Sequence, residues 1–325
     1  MNRIATFVAV ACLIGGCATH DGTIAADLEP ARLPPPDTTL NIPGLGPCTD
    51  NPDRSLHLDS TQPVHVLVHG CFGSSGQFRA LAQVLAFHGQ QSACFTYDDR
   101  AKLDQSAAEL RRAITQISEQ SHVPQITVIC HSQGALVARK SLTESLPAAL
   151  PGLGANLRLV TVSGPFSGIE SARTCGRGWL YPLTLGLLPL SCYAVTGPKW
   201  SDITYSSRFI VEPGDLSGQV VKHLKIDTDE RGMCRRAEGG RCVESDDIFS
   251  LTEQRNDRVE ADPRMRRVQV DAGHVEIVGD KRVAPTKLIT VLQDEGVLRP
   301  TAPDRRSAFQ ALLSQLYLDV NAALR

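Results

Sequence analysis

From Gln62 onward, short apolar runs alternate with longer amphipathic stretches. The runs are Val64 to Val68, Ala93 to Tyr97, Ile126 to Cys130, Leu159 to Ser163, Ile248 to Leu251 and Arg267 to Val270. β-Branched residues dominate most of them, as strands buried on both faces require. Between them the periodicity changes to that of a helix at about 76–88, 101–121 and 134–146. In the middle segment Leu103, Ala107, Leu110, Ile114 and Ile117 fall on one stripe, the apolar face that a helix lays against a sheet. Strand and helix in alternation predict an α/β fold with a mostly parallel sheet.

The interval 166–245 breaks this rhythm. It holds Trp179-Leu180-Tyr181-Pro182, an apolar run to Val195 and two cysteine pairs, and reads as an insertion, either a plain cover for the core or a cap bordering a cleft. After His274 the pattern is helical again, over Pro285 to Gln293 and from Asp304 to about Leu324, with Asp304 placed to cap the last helix. Residues 17–60 are rich in Pro, Asp, Thr and Gly, including Pro34-Pro35-Pro36. They read as a tether that becomes a wrapping arm near Cys48, ahead of a main domain at 61–325.

Composition narrows the function classes. The 325 residues are 42% hydrophobic and 21% charged with a net charge of −2, which fits a globular chain and supplies no field for nucleic acid. Trp, Tyr and Phe number only 2, 5 and 9, too few for a large carbohydrate-stacking cleft. Neither a metal-ligand spacing of Cys and His nor a Gly-x-Gly-x-x-Gly turn after a strand is present. No metal or cofactor is expected.

The chain opens with Met1-Asn2-Arg3, an apolar run from Ile4 to Ile14, and Gly15-Gly16-Cys17. The run is too short to span a bilayer and has the parts of an export signal. The segment Leu13 to Cys17 resembles a bacterial lipoprotein signal. The resemblance implies removal of residues 1–16, lipidation of Cys17 and, with Ala18 next, an anchor in a Gram-negative outer membrane. The mature chain would keep Cys48, Cys71, Cys94, Cys130, Cys175, Cys192, Cys234 and Cys242, an even set in an oxidising compartment, where disulfides are favoured. Their short separations make Cys175/Cys192 and Cys234/Cys242 the preferred loop staples.

The chemistry concentrates at Ile126-Thr127-Val128-Ile129-Cys130-His131-Ser132-Gln133-Gly134, where a β-branched strand runs through a tight turn into a helix. This resembles the nucleophile elbow of the α/β-hydrolases, with Cys130 in place of the usual first glycine. The resemblance implies Ser132 as nucleophile and the backbone N–H of Gln133 as one oxyanion donor. The earlier strand ends in His69-Gly70-Cys71, the family's loop for the second donor, which points to the N–H of Cys71. The family's order of nucleophile, acid and histidine calls for a late histidine, and Val270-Asp271-Ala272-Gly273-His274 supplies one. By the same resemblance Asp257, in the loop after the apolar run at 248–251, is the acid, with Asp246, Asp247 and Glu253 as alternatives. His69 and His131 match supporting positions. Further similarity to bacterial lipases lies in Gly164-Pro165-Phe166-Ser167-Gly168, where Phe166 stands in a histidine's place, and in Trp200 to Ser206.

The function implied is a serine carboxylester hydrolase of lipase or esterase type acting on a hydrophobic acyl ester. The same triad serves an acyltransferase or thioesterase. A catalytically silent envelope protein on this fold is the reading from another class, which the departures at Cys130 and Phe166 keep open.

Overall fold

The computed structural model describes residues 38–49, 52–71, 73–144, 155–170, 190, 193, 197–280 and 283–317. In chain order the main elements are β1 (Thr38–Leu40), β2 (Leu45–Gly46), β3 (Leu56–Leu58), β4 (Val64–Val68), α1 (Arg79–Phe87), β5 (Gln91–Phe95), α2 (Leu103–Ser121), β6 (Gln125–His131), α3 (Gln133–Ser141) and β7 (Asn156–Val162). They continue with α4 (Arg208–Val211), β8 (Val220–Asp229), β9 (Cys234–Glu238), β10 (Arg241–Ser245), α5 (Leu251–Gln254), α6 (Asp257–Glu260), β11 (Met265–Asp271), α7 (Thr286–Asp294) and α8 (Arg306–Leu316). Seven strands form the central sheet in the order β11-β8-β7-β6-β4-β5-β2. All neighbours are parallel except β2, which pairs antiparallel with β5. This is the α/β-hydrolase fold.

The inner strands β4 and β6 are largely apolar on both faces because both are covered. Val64, Val66 and Val68 of β4 and Ile126, Val128 and Cys130 of β6 pack in one core with the buried stripe of α2, Leu103, Ala107, Leu110, Ile114 and Ile117. The intervening Leu67 and Ile129 face the other core, built with Leu81 and Leu85 of α1, Leu288 and Leu292 of α7 and Phe309 and Leu313 of α8. Period 2 in the strands thus sorts residues between two helical layers.

The longest strand, β8, was absent from the sequence-based expectation, which placed 166–245 in an insertion and a strand at 248–251. β8 reads Val-Val-Lys-His-Leu-Lys-Ile-Asp-Thr-Asp, and its polar residues hide it. His223, Lys225 and Asp227 are buried. Burial keeps His223 neutral, and the charges of the other two are matched: Lys225 pairs with Asp227 and, at 3.2 Å, with Glu260 of α6, while Arg267 of β11 reaches Asp227 at 2.8 Å. A buried charge persists only with such partners. Ile248 and Phe249 form no ladder, because their backbone N–H groups turn to the Glu230 carboxylate at 2.8 and 2.7 Å. Ser250 then caps α5 through a capping box with Glu253.

The excursion at 234–245 is the β9–β10 hairpin, closed by the Cys234–Cys242 disulfide expected from the sequence. A second disulfide, Cys48–Cys94, fastens the arm to β5, and Leu40, Ile42, Leu45, Leu56 and Leu58 of the arm are buried in the core. The body therefore begins well before residue 61. Asp304 lies in a short 3₁₀ turn (Pro303–Arg305) and does not cap α8, whose N-terminus has no side-chain cap. Cys17 and its leader, and Cys175 and Cys192, lie outside the described residues. Among the described residues no helix is long and apolar enough to cross a membrane.

Cys48 and Cys94 close a loop of 46 residues, for which chain entropy in the unfolded state gives about 4 kcal/mol. The hairpin disulfide spans 8 residues, for which the same relation gives about 2.5 kcal/mol. Urea titrations of Cys48→Ala/Cys94→Ala and Cys234→Ala/Cys242→Ala should show the larger loss in the first pair.

Candidate active site

The carboxyl end of β6 meets the amino end of α3 at Ser132, which has φ 56 and ψ −129. A serine in that conformation is strained by about 1–3 kcal/mol, and the surroundings hold it there. Its N–H donates to the carbonyl of Val162 at 2.9 Å. Gly134 fits against β4 because it lacks a side chain: a Cβ there would meet the carbonyl oxygens of His69 and, at 2.7 Å, Val68. Cys130 is buried, its Sγ donates to the carbonyl of Val160 at 3.1 Å, and burial pushes its thiol pKa well up. It fills the crowded turn as a small apolar residue.

Ser132 and His274 come together from opposite parts of the chain. His274 Nε2 lies 3.0 Å from Ser132 Oγ. Its Nδ1 lies 2.9 Å from Oε1 of Glu230, the residue directly after β8. His274 is fixed by its neighbours as well: His131 Nε2 donates to its carbonyl at 2.9 Å, and Phe249 packs edge-on against its ring at 4.7 Å. Burial lowers the His131 pKa well below the usual value, so His131 is a neutral structural donor.

The carboxylate on His274 is thus Glu230, and the sequence-based choice of Asp257 is corrected. Asp257 is exposed at the start of α6, whose cap is Asn256. Of the alternatives, Asp247 is exposed and Glu253 caps α5. Asp246 is buried and holds the histidine loop by its backbone. Its side chain accepts from the N–H groups of Val275 and Glu276 at 2.9 and 3.0 Å, and its carbonyl accepts from His274 N–H at 2.9 Å. Gly273 is needed beside this carboxylate, since a Cβ would collide with Asp246 rather than with the imidazole.

Glu230 is buried, and burial raises its pKa. Hydrogen bonds from His274, Ser163 and the Phe249 N–H outweigh that, and its carboxyl sits below the ordinary range. Oε1 accepts from Ser163 Oγ at 2.6 Å and Thr228 Oγ1 at 2.7 Å, while Oε2 accepts from the two backbone groups of 248 and 249. Glu230 is hidden in the sequence because it follows a strand whose polar residues conceal it. The legible signal was the alternation of Val220, Leu224, Ile226 and Thr228 running into an acidic pair, Asp229-Glu230.

On the other side of Ser132, Gln133 is the first residue of α3, and Cys71 follows β4 by three positions. The His69–Cys71 loop is held by the Tyr97 hydroxyl, which donates to the His69 carbonyl at 3.0 Å, and by stacking of the His69 and Tyr97 rings at 4.5 Å. Lys199, buried, donates to Cys71 Sγ at 2.9 Å and to the Asp99 carbonyl at 2.5 Å. Gln133 Nε2 donates to the same carbonyl at 3.0 Å. Burial raises the Cys71 pKa even beside Lys199. Among the described residues no group of three His, Cys, Asp or Glu side chains is arranged to hold a metal ion.

Residues 59–150, which carry β4, β6 and the elbow, match the family model described as "Alpha/beta hydrolase of unknown function (DUF900)". No curated protein matches the chain. Among solved structures, the mature lipase BlEst2 of Bacillus licheniformis is similar over 78% of this chain and 99% of its own, at 14% identity and a TM-score of 0.52. Esterase B from Lactobacillus rhamnosis (HN001) is 13% identical over 85% of this chain and 88% of its own, with a TM-score of 0.46. The Pyrococcus furiosus esterase Pf2001 is 17% identical over 79% of this chain and 84% of its own, with a TM-score of 0.40. At these identities the likeness to the lipase shows the shared fold.

Because Glu230 has a lowered native pKa, the stability it supplies is complete above its unfolded pKa. It is lost as pH falls through the lowered native value. Denaturant titrations of wild type and Glu230→Gln should therefore differ at neutral pH and converge as acid takes the pH through the lowered carboxyl pKa of Glu230.

Proposed function

We propose that the chain is a serine carboxylester hydrolase in which Ser132 is the nucleophile, His274 the general base and Glu230 the acid. The observation that carries this reading is the continuous hydrogen-bonded path from Ser132 Oγ through His274 to Glu230, at 3.0 and 2.9 Å. Ser132 attacks the ester carbonyl while His274 Nε2 takes its proton, and Glu230 stabilises the imidazolium without taking the Nδ1 proton. Negative charge on the carbonyl oxygen is met by the backbone N–H groups of Cys71 and Gln133. His274 returns the proton to the leaving alcohol. A water, deprotonated by the same nitrogen, then releases the acid and restores Ser132.

A hydrophobic acyl substrate is supported by the apolar run Leu180 to Val195 and by the exposure of Leu190 and Tyr193, 62% and 54%. Export as a lipoprotein anchored through Cys17 is part of the proposal. It is supported by the Leu13-Ile14-Gly15-Gly16-Cys17 segment and by two disulfides, which suit an oxidising compartment.

Labelling with a fluorophosphonate probe, read by peptide mass spectrometry, should place the adduct on Ser132 and should fail in Ser132→Ala and His274→Ala. Glu230→Gln should slow ester hydrolysis by on the order of 10⁴-fold, and Asp257→Asn should leave it within about twofold. Absence of any adduct in folded wild-type protein would reject the hydrolase reading, and product formed only with an added alcohol or thiol acceptor would make the protein an acyltransferase. Palmitate labelling of expressing cells tests the anchor: the wild type should take up label and Cys17→Ser should not.

A further inference from the structure

We infer that Ser163 is a positioning residue for the His274–Glu230 pair, a hydroxyl that fixes the Nδ1–H tautomer of His274 and aims its Nε2 at Ser132. The inference rests on the hydrolase reading of this site for its kinetic consequence, and on geometry for its structural one.

Ser163 follows the last residue of β7 and is fully buried. It has φ 49, one of three non-glycine residues with positive φ among those described; Ser132 is another. Glycine adopts that conformation without penalty and occupies it at many other turns of this chain. A serine held there is strained, and its side chain has to supply something glycine lacks. What it supplies is a hydroxyl between the two partners: Ser163 Oγ is 2.9 Å from His274 Nδ1 and 2.6 Å from Glu230 Oε1. Its backbone is pinned as well, the N–H donating to the carbonyl of Ile226 at 2.9 Å.

Proton counting assigns the direction of each bond. Ionised Glu230 only accepts. With Ser132 donating to Nε2, the proton of neutral His274 is on Nδ1 and is shared between Glu230 Oε1 and Ser163 Oγ. Ser163 then gives its own proton to Glu230. Its second lone pair faces Thr228 Oγ1 at 2.7 Å, which is also 2.7 Å from Glu230 Oε1 and donates to either. Thr228 is held in turn by Gln254, whose Oε1 accepts from the Thr228 N–H at 2.8 Å and whose Nε2 donates to the Thr228 carbonyl at 2.7 Å. In the other tautomer a bare Nδ1 would face a carboxylate oxygen at 2.9 Å, and Ser163 would have to withdraw its proton from Glu230 to cover it. The network therefore disfavours the tautomer that cannot accept from Ser132.

Two variants test this. Ser163→Ala removes the hydroxyl and keeps the backbone penalty, whereas Ser163→Gly removes both, so a defect shared by the two belongs to the hydroxyl. With a soluble p-nitrophenyl ester both should lose about 10- to 100-fold in kcat, by analogy with outer-shell partners that orient metal-bound histidines, with KM within about twofold. In parallel, the far-downfield proton NMR resonance of His274 Nδ1–H, assigned by its loss in His274→Ala, should move or exchange-broaden in both. Wild-type kcat together with an unmoved resonance in the glycine variant would overturn the proposal, as would a change in KM alone. If the wild type proves inert toward esters and probe, the hydrolase reading fails by itself. The resonance then decides the positioning role: displaced in both variants, it stands as a property of the pair, and unmoved, it falls.

Discussion

A carboxylate placed under the sheet's surface sets the terms for everything around it. Glu230 has to be ionised to hold His274, and an ionised group out of water is costly unless its oxygens are filled with donors. Five donors meet them: His274, Ser163, Thr228 and the backbone N–H groups of Ile248 and Phe249. Ser163 comes from the end of β7, His274 from the loop after β11 and the two N–H groups from the 248–249 segment, so solvating this charge also fixes where those segments lie relative to β8. The segment at 248–249 cannot extend as a strand because its N–H groups are committed to Glu230. The capping box at Ser250 follows from where that segment is then forced to stop.

The strain in the site sits on this rigid base. Ser132 and Ser163 both adopt positive φ at the ends of neighbouring parallel strands, β6 and β7. Each N–H is tied to the next strand over, Ser132 to Val162 and Ser163 to Ile226. The ladder thus continues one residue past each strand, and the cost of the unusual backbone is carried by a doubly covered sheet. A loop without that ladder would relax, and Ser132 Oγ would no longer sit within hydrogen-bond reach of Nε2.

Legibility from sequence followed chemistry of burial. β4, β6 and the α2 stripe were readable because Val64–Val68, Ile126–Cys130 and Leu103–Ile117 are apolar in the period their elements need. Ser132 and His274 were readable because an elbow and a late histidine after a strand are local patterns. β8 was not, since Lys225 and Asp227 look like surface residues until Arg267 and Glu260, from other segments, are placed beside them. The carboxylate that meets His274 was lost with the strand that precedes it. Ser163 had no signal at all: serine before Gly-Pro reads as a turn residue, and its contacts with His274 and Glu230 exist only where β7, β8 and the loop after β11 converge.

The meeting of Glu230 with His274 follows from the strand register. β8 and β11 pair in register from Met265↔His223 to Asp271↔Asp229, so Glu230 leaves the sheet one residue past the last pair and His274 three residues past it. The carboxylate is carried on the residue directly after a strand end and meets the imidazole Nδ1 at 2.9 Å. Beyond Glu230 the chain makes its excursion through β9 and β10 and returns at Asp246, closed at its base by Met233 N–H on the Glu230 carbonyl and Asp246 N–H on the Met233 carbonyl, at 3.0 and 2.9 Å. Asp246 then grips the histidine loop. The hairpin's strands are almost wholly exposed, so its base joins the two carboxylates that hold His274 while its tip stays clear of the packed site.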